Sequence, residues 1–214
     1  MGISASLPPK PLKWLFWIAL IGASAYYLAD TLSYAFYTEG KQTDAWPERV
    51  NWRFAHFIAA VPLLFIAPLQ FSRRARMRWP KLHRRAGQVY LIGAMIGGLT
   101  AIYLAITIKY EGSHVPLTLF GTLWFVFSVA AWQCARRRDF TNHQRFIVRG
   151  YALAMAFVWV RIMGQFQSEL FPFIESQEVR DTTREWLSVA GPLIVTEAWF
   201  SWWPAAKRAF AAQK

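Results

Sequence analysis

Long apolar stretches separated by short polar loops dominate the chain. Each of the stretches approaches the ~20 residues needed to cross a ~30 Å hydrocarbon layer at about 1.5 Å per residue. A segment in hydrocarbon must satisfy its own backbone hydrogen bonds, and these stretches are far too long for barrel strands, so we expect helices. The pattern predicts an all-α integral membrane bundle forming a single domain over residues 1–214. The six predicted spans are Lys13 to Tyr37, Arg53 to Phe71, Gly87 to Ile108, Pro116 to Ala135, Phe146 to Phe166 and Trp186 to Trp203.

The composition agrees with a lipid-facing protein. The chain is 55% hydrophobic and 17% aromatic, which is too apolar for a soluble domain of this length. Its formal charge of +12 would suggest nucleic acid in a soluble protein, but the charges lie between apolar spans, which favours membrane lipid as the partner. The single cysteine, Cys134, excludes an internal disulfide.

The charges of the loops predict the orientation. The loop from Ser72 to Ala86 has seven basic residues and no acidic one, and the next loop on the same side carries Arg136, Arg137 and Arg138. Cytoplasmic loops are enriched in this way, and the loops on the other side hold most of the acidic residues, Glu185 among them. Both termini are therefore expected inside the cell. A cleaved signal peptide is the alternative for the first span.

Ionisable residues inside the spans are candidates for function, because each costs of order a few kcal/mol in hydrocarbon. Counting from the predicted ends places Asp30, His56 and Arg161 near the outer surface, where they could form one cluster. Arg149 and Glu197 lie near the inner surface and form a plausible ion pair. For both sets, a pair that only fixes helix register is the alternative to a functional role.

The histidines divide between the two faces, with His56 and His114 outside and His83 and His143 inside. A bundle that carries electrons across a bilayer can hold a haem near each face between histidines of facing helices. We therefore expect His83 and His143 to be ligands of a haem b iron. Arginines near them, among which are Arg84 and Arg149, would meet the propionates. His114 is the weakest candidate, since it is predicted to be a solvated loop residue.

Small residues share a helix face with His83 and leave two interpretations open. They could form a flat slot for a porphyrin, or they could simply allow close helix packing, as Gly93 and Gly97 suggest. The face of His56 runs to Gln70 and predicts either a polar cavity or packing around kinks at Pro62 and Pro68. The residues on the His83 face are Gly87, Tyr90, Ala94, Gly97 and Ala101; those on the His56 face are Ala60, Leu63, Ala67 and Gln70.

Two blocks of the sequence resemble a known family. The block from His56 to Tyr90 contains Leu82-His83-Arg84, and the block from Arg137 to Arg161 contains His143, Arg145 and Tyr151-Ala152-Leu153. Both resemble a bacterial family of predicted multi-pass membrane proteins catalogued as a domain of unknown function, which implies the bacterial inner membrane. A remoter architectural likeness is to transmembrane diheme b cytochromes. The family pattern implies a role for His56, Gln70, His83, Arg84, His143, Arg149, Arg161 and Glu197, but not for His114.

Three functions from different classes follow. The first is a haem b-binding redox or electron-transfer protein, with His56 at an outer site or proton path. The second is a non-enzymatic accessory or assembly subunit of a larger membrane complex. The third is a small proton-linked transporter that uses Asp30, His56, Arg161 and Glu197. Hydrolase and nucleotide-dependent activities have no motif in the sequence.

Overall fold

A computed structural model describes residues 10–38, 47–108 and 111–211. The chain divides into two compact units, residues 1–44 and 45–214. In the first unit, helix α1 spans Lys10–Thr38, and its apolar part runs from Trp14 to Asp30.

All the regular secondary structure in the described residues of the second unit is helical. The helix α2, Pro47–Phe71, is followed by the short α3, Arg73–Arg78, and by two long helices, α4 and α5. A π-helical segment, Ala198–Trp202, precedes the last helix. The remaining helices are α4, Pro80–Ile106; α5, Glu111–Arg136; α6, Phe140–Ala154; α7, Ala156–Gln165; α8, Gln167–Leu170; α9, Gln177–Glu197; and α10, Trp203–Ala211.

Four helices form the centre of this unit. Helix α4 packs against α2 and α5, α5 packs against α6, and a smaller contact between α6 and α2 closes the ring. In the described part of the chain α4 and α6 make few close contacts with each other, so they lie on opposite sides of the ring. Helix α9 packs against α5, α6 and α7 from one side.

Four helical stretches in the described residues are long and apolar enough to cross a membrane. They are Asn51–Phe71, Pro80–Ile106, Glu111–Arg136 and Phe140–Gln165, and they overlap four of the six predicted spans. Their outer faces carry apolar side chains, among which Ile58 is 75% exposed and Leu99 is 51% exposed. Such a surface is suited to lipid rather than to water. The protein is thus an all-helical membrane protein.

Glycines allow the central helices to approach closely. A β-carbon on Gly93 of α4 would lie 2.8 Å from the backbone oxygen of Ala59 in α2. On another face of α4, a β-carbon on Gly98 would lie 3.0 Å from the backbone nitrogen of Phe125 and 3.1 Å from the backbone oxygen of Gly121. The small residues therefore permit close helix contacts.

Two predictions about loops are wrong. His114 lies in the first turn of α5, since the helix begins at Glu111, and its Nε2 lies 2.6 Å from the backbone oxygen of Ile108. Glu185, which the charge pattern places in an outer loop, lies within helix α9. Both errors have the same cause, because helices continue past the apolar stretch into polar sequence, where hydropathy gives no signal.

Candidate functional site

His83 and His143 lie near each other at one end of the ring of helices. His83 on α4 lies close enough to His143 on α6 for their imidazoles to interact electrostatically. His143 Nδ1 lies 2.8 Å from the backbone oxygen of Ala131. Because a carbonyl oxygen only accepts, Nδ1 carries the hydrogen, and Nε2 of the neutral ring is left as an electron-pair donor. His83 Nδ1 is buried and has no hydrogen-bond partner among the described residues.

Side chains of neighbouring helices occupy the space beside two glycines of α4. The Nε2 of Gln70 donates a hydrogen bond of 3.3 Å to the backbone oxygen of His83. Its Oε1 would lie 3.1 Å from a β-carbon on Gly87, and the ring of Trp124 would lie 2.9 Å from a β-carbon on Gly97. The packing interpretation therefore holds at these two glycines. Arg84 is exposed at the same end of α4.

The ion pair predicted near the inner surface is present. Arg149 Nη2 on α6 lies 3.0 Å from Glu197 Oε2 at the end of α9, and Arg149 Nε contacts the other carboxylate oxygen. The guanidinium also lies over the rings of Phe146 and Phe200, at 5.8 and 5.7 Å from their centroids. Ser201 donates a hydrogen bond of 3.2 Å to Glu197. This two-pronged contact fixes α9 against α6.

His56 is held in one orientation by its contacts with α4. Its Nδ1 lies 3.0 Å from the backbone oxygen of Gly97 and 3.1 Å from Oγ1 of Thr100. Nδ1 is thus the donor, and Nε2 of the neutral ring is a hydrogen-bond acceptor. The ring of Trp124 meets the imidazole edge-on at 6.2 Å.

A cavity of about 330 Å³ lies beside His56. Helices α2, α4, α5, α7 and α9 and the end of α6 line it, and most of the lining side chains are apolar. A volume of this size and a mainly apolar wall with a few polar groups are typical of small-molecule sites. Phe57, Phe120, Trp124 and Phe157 contribute aromatic rings to its wall.

Glu185 is the ionisable group of α9 in the cavity wall. Its Oε1 accepts a hydrogen bond of 2.9 Å from Ser113, whereas its Oε2 is buried and lacks a hydrogen-bond partner within the described ranges. Glu185 lies outside the four candidate spans, and burial raises the pKa of its carboxyl, against the opposing effects of Ser113 and Arg184.

The other predicted residues are distributed over the fold. Asp30 lies in α1, in the compact unit formed by residues 1–44. Arg161 on α7 lies over the ring of Phe157, 5.3 Å from its centroid. Of the predicted outer cluster, His56 lines the cavity. In the described part of the chain, no three His, Cys, Asp or Glu side chains converge as they would around a metal ion.

Sequence reasoning missed Glu185, Ser113 and Trp124 as site residues. Glu185 was counted only as one acid of an outer loop, although Ser188 and Val189, three and four positions later, mark the buried face of the same helix. That spacing is the signal that places Glu185 toward the interior. Trp124 carries no such signal, since one aromatic residue in an apolar span looks like any other.

The bundle of apolar helices defines the class of protein as a multi-helix membrane protein. The family described as predicted membrane protein (DUF2306) matches residues 53–200, and the chain belongs to this family of unknown function. The resemblance expected from the two sequence blocks is thereby confirmed, whereas the likeness to diheme cytochromes has no support from this match. No curated protein and no solved structure matches the chain.

Proposed function

We propose that the protein binds haem b in the membrane and transfers electrons, with His83 and His143 as the iron ligands. The observation that carries the proposal is the approach of two imidazoles from opposite helices of the ring. When bound, the haem would supply one-electron chemistry, and the chain would set its potential through ligand identity and burial.

The donor set fits such a group. The hydrogen bond from His143 to Ala131 fixes the tautomer that presents Nε2, and metal-bound histidines commonly make this kind of second bond. His83 has a buried nitrogen without a partner among the described residues, and an unsatisfied buried polar atom calls for an explanation. Because the Gln70 side chain occupies the space beside Gly87, it would have to adopt another rotamer when a porphyrin binds there.

The basic residues at this end would meet the propionates. Arg84, Arg85 and Arg145 are exposed there, and arginine pairs well with carboxylates. Arg149, the other arginine expected to take part, is paired with Glu197, so within this proposal it supports the site by holding α6 against α9. That pairing also argues for a structural role of Glu197 over a place on a proton path.

The proposal includes the topology. We infer six spans in a bacterial inner membrane, with α1 and the segment from Trp186 to Trp203 as the first and last. Both termini would then be cytoplasmic, because the basic loops around Arg74 and Arg137 lie on the inner side.

A reduced-minus-oxidised absorption spectrum of the purified protein tests the haem. The protein is produced with a haem precursor in the medium, solubilised in mild detergent and checked for folding by its elution profile and melting temperature. We expect the bands of a haem with two histidine ligands in the natural chain and their loss in His83→Ala and His143→Ala. His114→Gln is the matched control and should keep the bands, since His114 bonds to Ile108 at the other end of the bundle.

Two results would refute the haem proposal. One is a folded natural chain without haem, and the other is an unchanged spectrum in both alanine variants. A haem-free chain that purifies with a stable protein partner would instead support the accessory-subunit alternative.

A further inference from the structure

We propose that the cavity between His56 and Glu185 binds the ring of a membrane-soluble quinol, whose hydroxyl groups bond to His56 Nε2 and Glu185 Oε2. This site contains neither proposed iron ligand, so the inference goes beyond the haem proposal and stands without it.

In each of the two polar groups, one atom already has a hydrogen-bond partner and the other has none among the described residues. His56 Nδ1 is fixed by Gly97 and Thr100, which leaves Nε2 as the nitrogen that can serve the cavity. Glu185 Oε1 is fixed by Ser113, and Oε2 has no partner within the described residues. Side chains fixed in this way lose little freedom when a ligand binds.

The unpaired oxygen of Glu185 also favours ligand binding energetically. A buried polar atom without a hydrogen bond costs about 1–3 kcal/mol, and a ligand hydroxyl group at Glu185 Oε2 would remove that cost. Water alone is a poor occupant of the whole space, because most of the wall offers no hydrogen bonds and apolar cavities tend to stay dry.

The wall of the cavity determines the shape and polarity of a ligand that fits it. Aromatic rings from α2, α5 and α7 line the cavity, and such walls favour a flat ring that packs against them. An acceptor nitrogen on α2 and a carboxyl group on α9 require hydrogen-bonding groups at two points of that ring. An aromatic diol meets both requirements, whereas a lipid acyl chain meets neither.

Access to the cavity from the lipid depends on the contacts of α2. Helix α2 packs against α6, but in the described part of the chain it makes few close contacts with α7. The cavity lies between α2 and α7, and the helix is interrupted at Met155, between the lining residues Ala154 and Ala156. A ligand dissolved in the membrane could therefore enter the cavity between these two helices.

The test uses decyl-ubiquinol as the probe and the full-length protein in detergent. Binding is measured by isothermal titration, and an azido-quinone is photocrosslinked to locate the site by mass spectrometry. We expect saturable binding and crosslinks to α2, α5 or α7. His56→Leu and Glu185→Leu replace each polar group by an apolar side chain of similar size and should each raise the Kd about tenfold, the effect of losing one hydrogen bond of about 1.4 kcal/mol.

Control variants separate the site from a general change of fold. Ala101→Phe fills the cavity and should abolish binding, while its melting temperature reports whether the fold survives. Glu178→Gln changes an exposed acid of the same helix and should leave the Kd unchanged. The dimethyl ether of the quinol cannot donate hydrogen bonds and should bind at least tenfold more weakly.

Three outcomes would overturn the inference. They are the absence of saturable binding in the natural chain, equal binding of the quinol and its dimethyl ether, and full binding in a folded Ala101→Phe variant. Haem content is measured on every variant, and quinol binding is also measured on His83→Ala. Quinol binding to haem-free protein would refute the haem alone, and haem without quinol binding would refute this site alone.

Discussion

The charged side chains of Arg149 and Glu197 act mainly on each other. Arg149 and Glu197 share two contacts, and the guanidinium is covered by two phenylalanine rings. Removing one member therefore leaves the other without its counter-charge in a partly desolvated place. The cost of an unpaired charge exceeds the net worth of the pair.

Arg149→Met should lower the free energy of unfolding by about 1–3 kcal/mol. This is less than a fully buried pair would lose, since the Glu197 side chain is 34% exposed. Arg145→Met is the matched control one turn earlier, and its exposed side chain should leave stability nearly unchanged. Unfolding in mixed detergent micelles measures both. A smaller loss in Arg149→Met/Glu197→Leu than in Arg149→Met alone is expected, and equal losses would contradict the pairing argument.

Asp139 caps the start of α6 and makes stability depend on pH. Its Oδ1 accepts from the backbone nitrogen of Asn142 at 3.1 Å and its Oδ2 from Asn142 Nδ2 at 2.7 Å. These bonds, with Arg145 nearby, hold the pKa of Asp139 below its usual range. A carboxyl whose pKa is lowered by folding stabilises the protein above its unfolded-state pKa and loses this effect as the pH falls through the folded value.

Asp139→Asn should therefore have a lower melting temperature than the natural chain at pH 7. Asparagine also caps helices, so the substitution keeps the cap but removes the charge and the oxygen that accepts from Asn142 Nδ2. The difference should shrink as the pH falls through the folded-state pKa, which lies below the usual value of about 4, and should disappear once the carboxyl is protonated in both states. A difference that stays constant from pH 7 to pH 3 would mean that the charge does not contribute.

The close contacts between helices depend on glycines at particular positions. Gly93 faces the backbone of α2, which cannot move aside as a flexible side chain can. By contrast, a β-carbon on Gly150 of α6 would meet only Cδ1 of Trp124, at 3.9 Å, which is an ordinary van der Waals contact. The same substitution at the two positions therefore separates packing from helix propensity.

Gly93→Ala should lower the melting temperature, while Gly150→Ala should leave it unchanged or raise it. Alanine favours a helix interior over glycine by about 1 kcal/mol at both sites, so only the clash with Ala59 differs. Circular dichroism on heating in detergent measures the effect. Equal shifts in both variants would show that α2 yields to the added methyl group.

The central spans could be predicted from the sequence because hydropathy is a property of consecutive residues. The start of α5 could not, since Glu111 to His114 belong to the helix but are polar or small. The wall of the cavity was still harder to predict. Glu185, Ser113 and Trp124 come from distant parts of the chain, and only tertiary packing decides which helix faces meet. His56 was found because an ionisable residue in an apolar span stands out by itself.

At the scale of the whole molecule, the two polar regions divide between the two ends of the bundle. The His83 and His143 pair lies near the basic α3, and the cavity extends to Ile108 at the other end of α4. If the basic end is cytoplasmic, the proposed haem site lies near the inner surface and the proposed quinol site in the outer half. The orientation therefore decides from which side each site would be reached.

Single cysteines placed in a Cys134→Ala background test the orientation and the number of spans. A membrane-impermeant maleimide is added to intact spheroplasts, and labelling is compared with that after permeabilisation. Arg74→Cys and Arg137→Cys should react only after permeabilisation, because basic loops stay inside, and Glu175→Cys should react from outside. The decisive position is Ala211→Cys at the end of α10. If α9 and the segment after it cross the bilayer, this cysteine is protected in intact spheroplasts. Labelling from outside would instead show that the chain has no sixth span. Lys207 and Arg208 would then lie on the outer surface, contrary to the rule that basic residues stay inside.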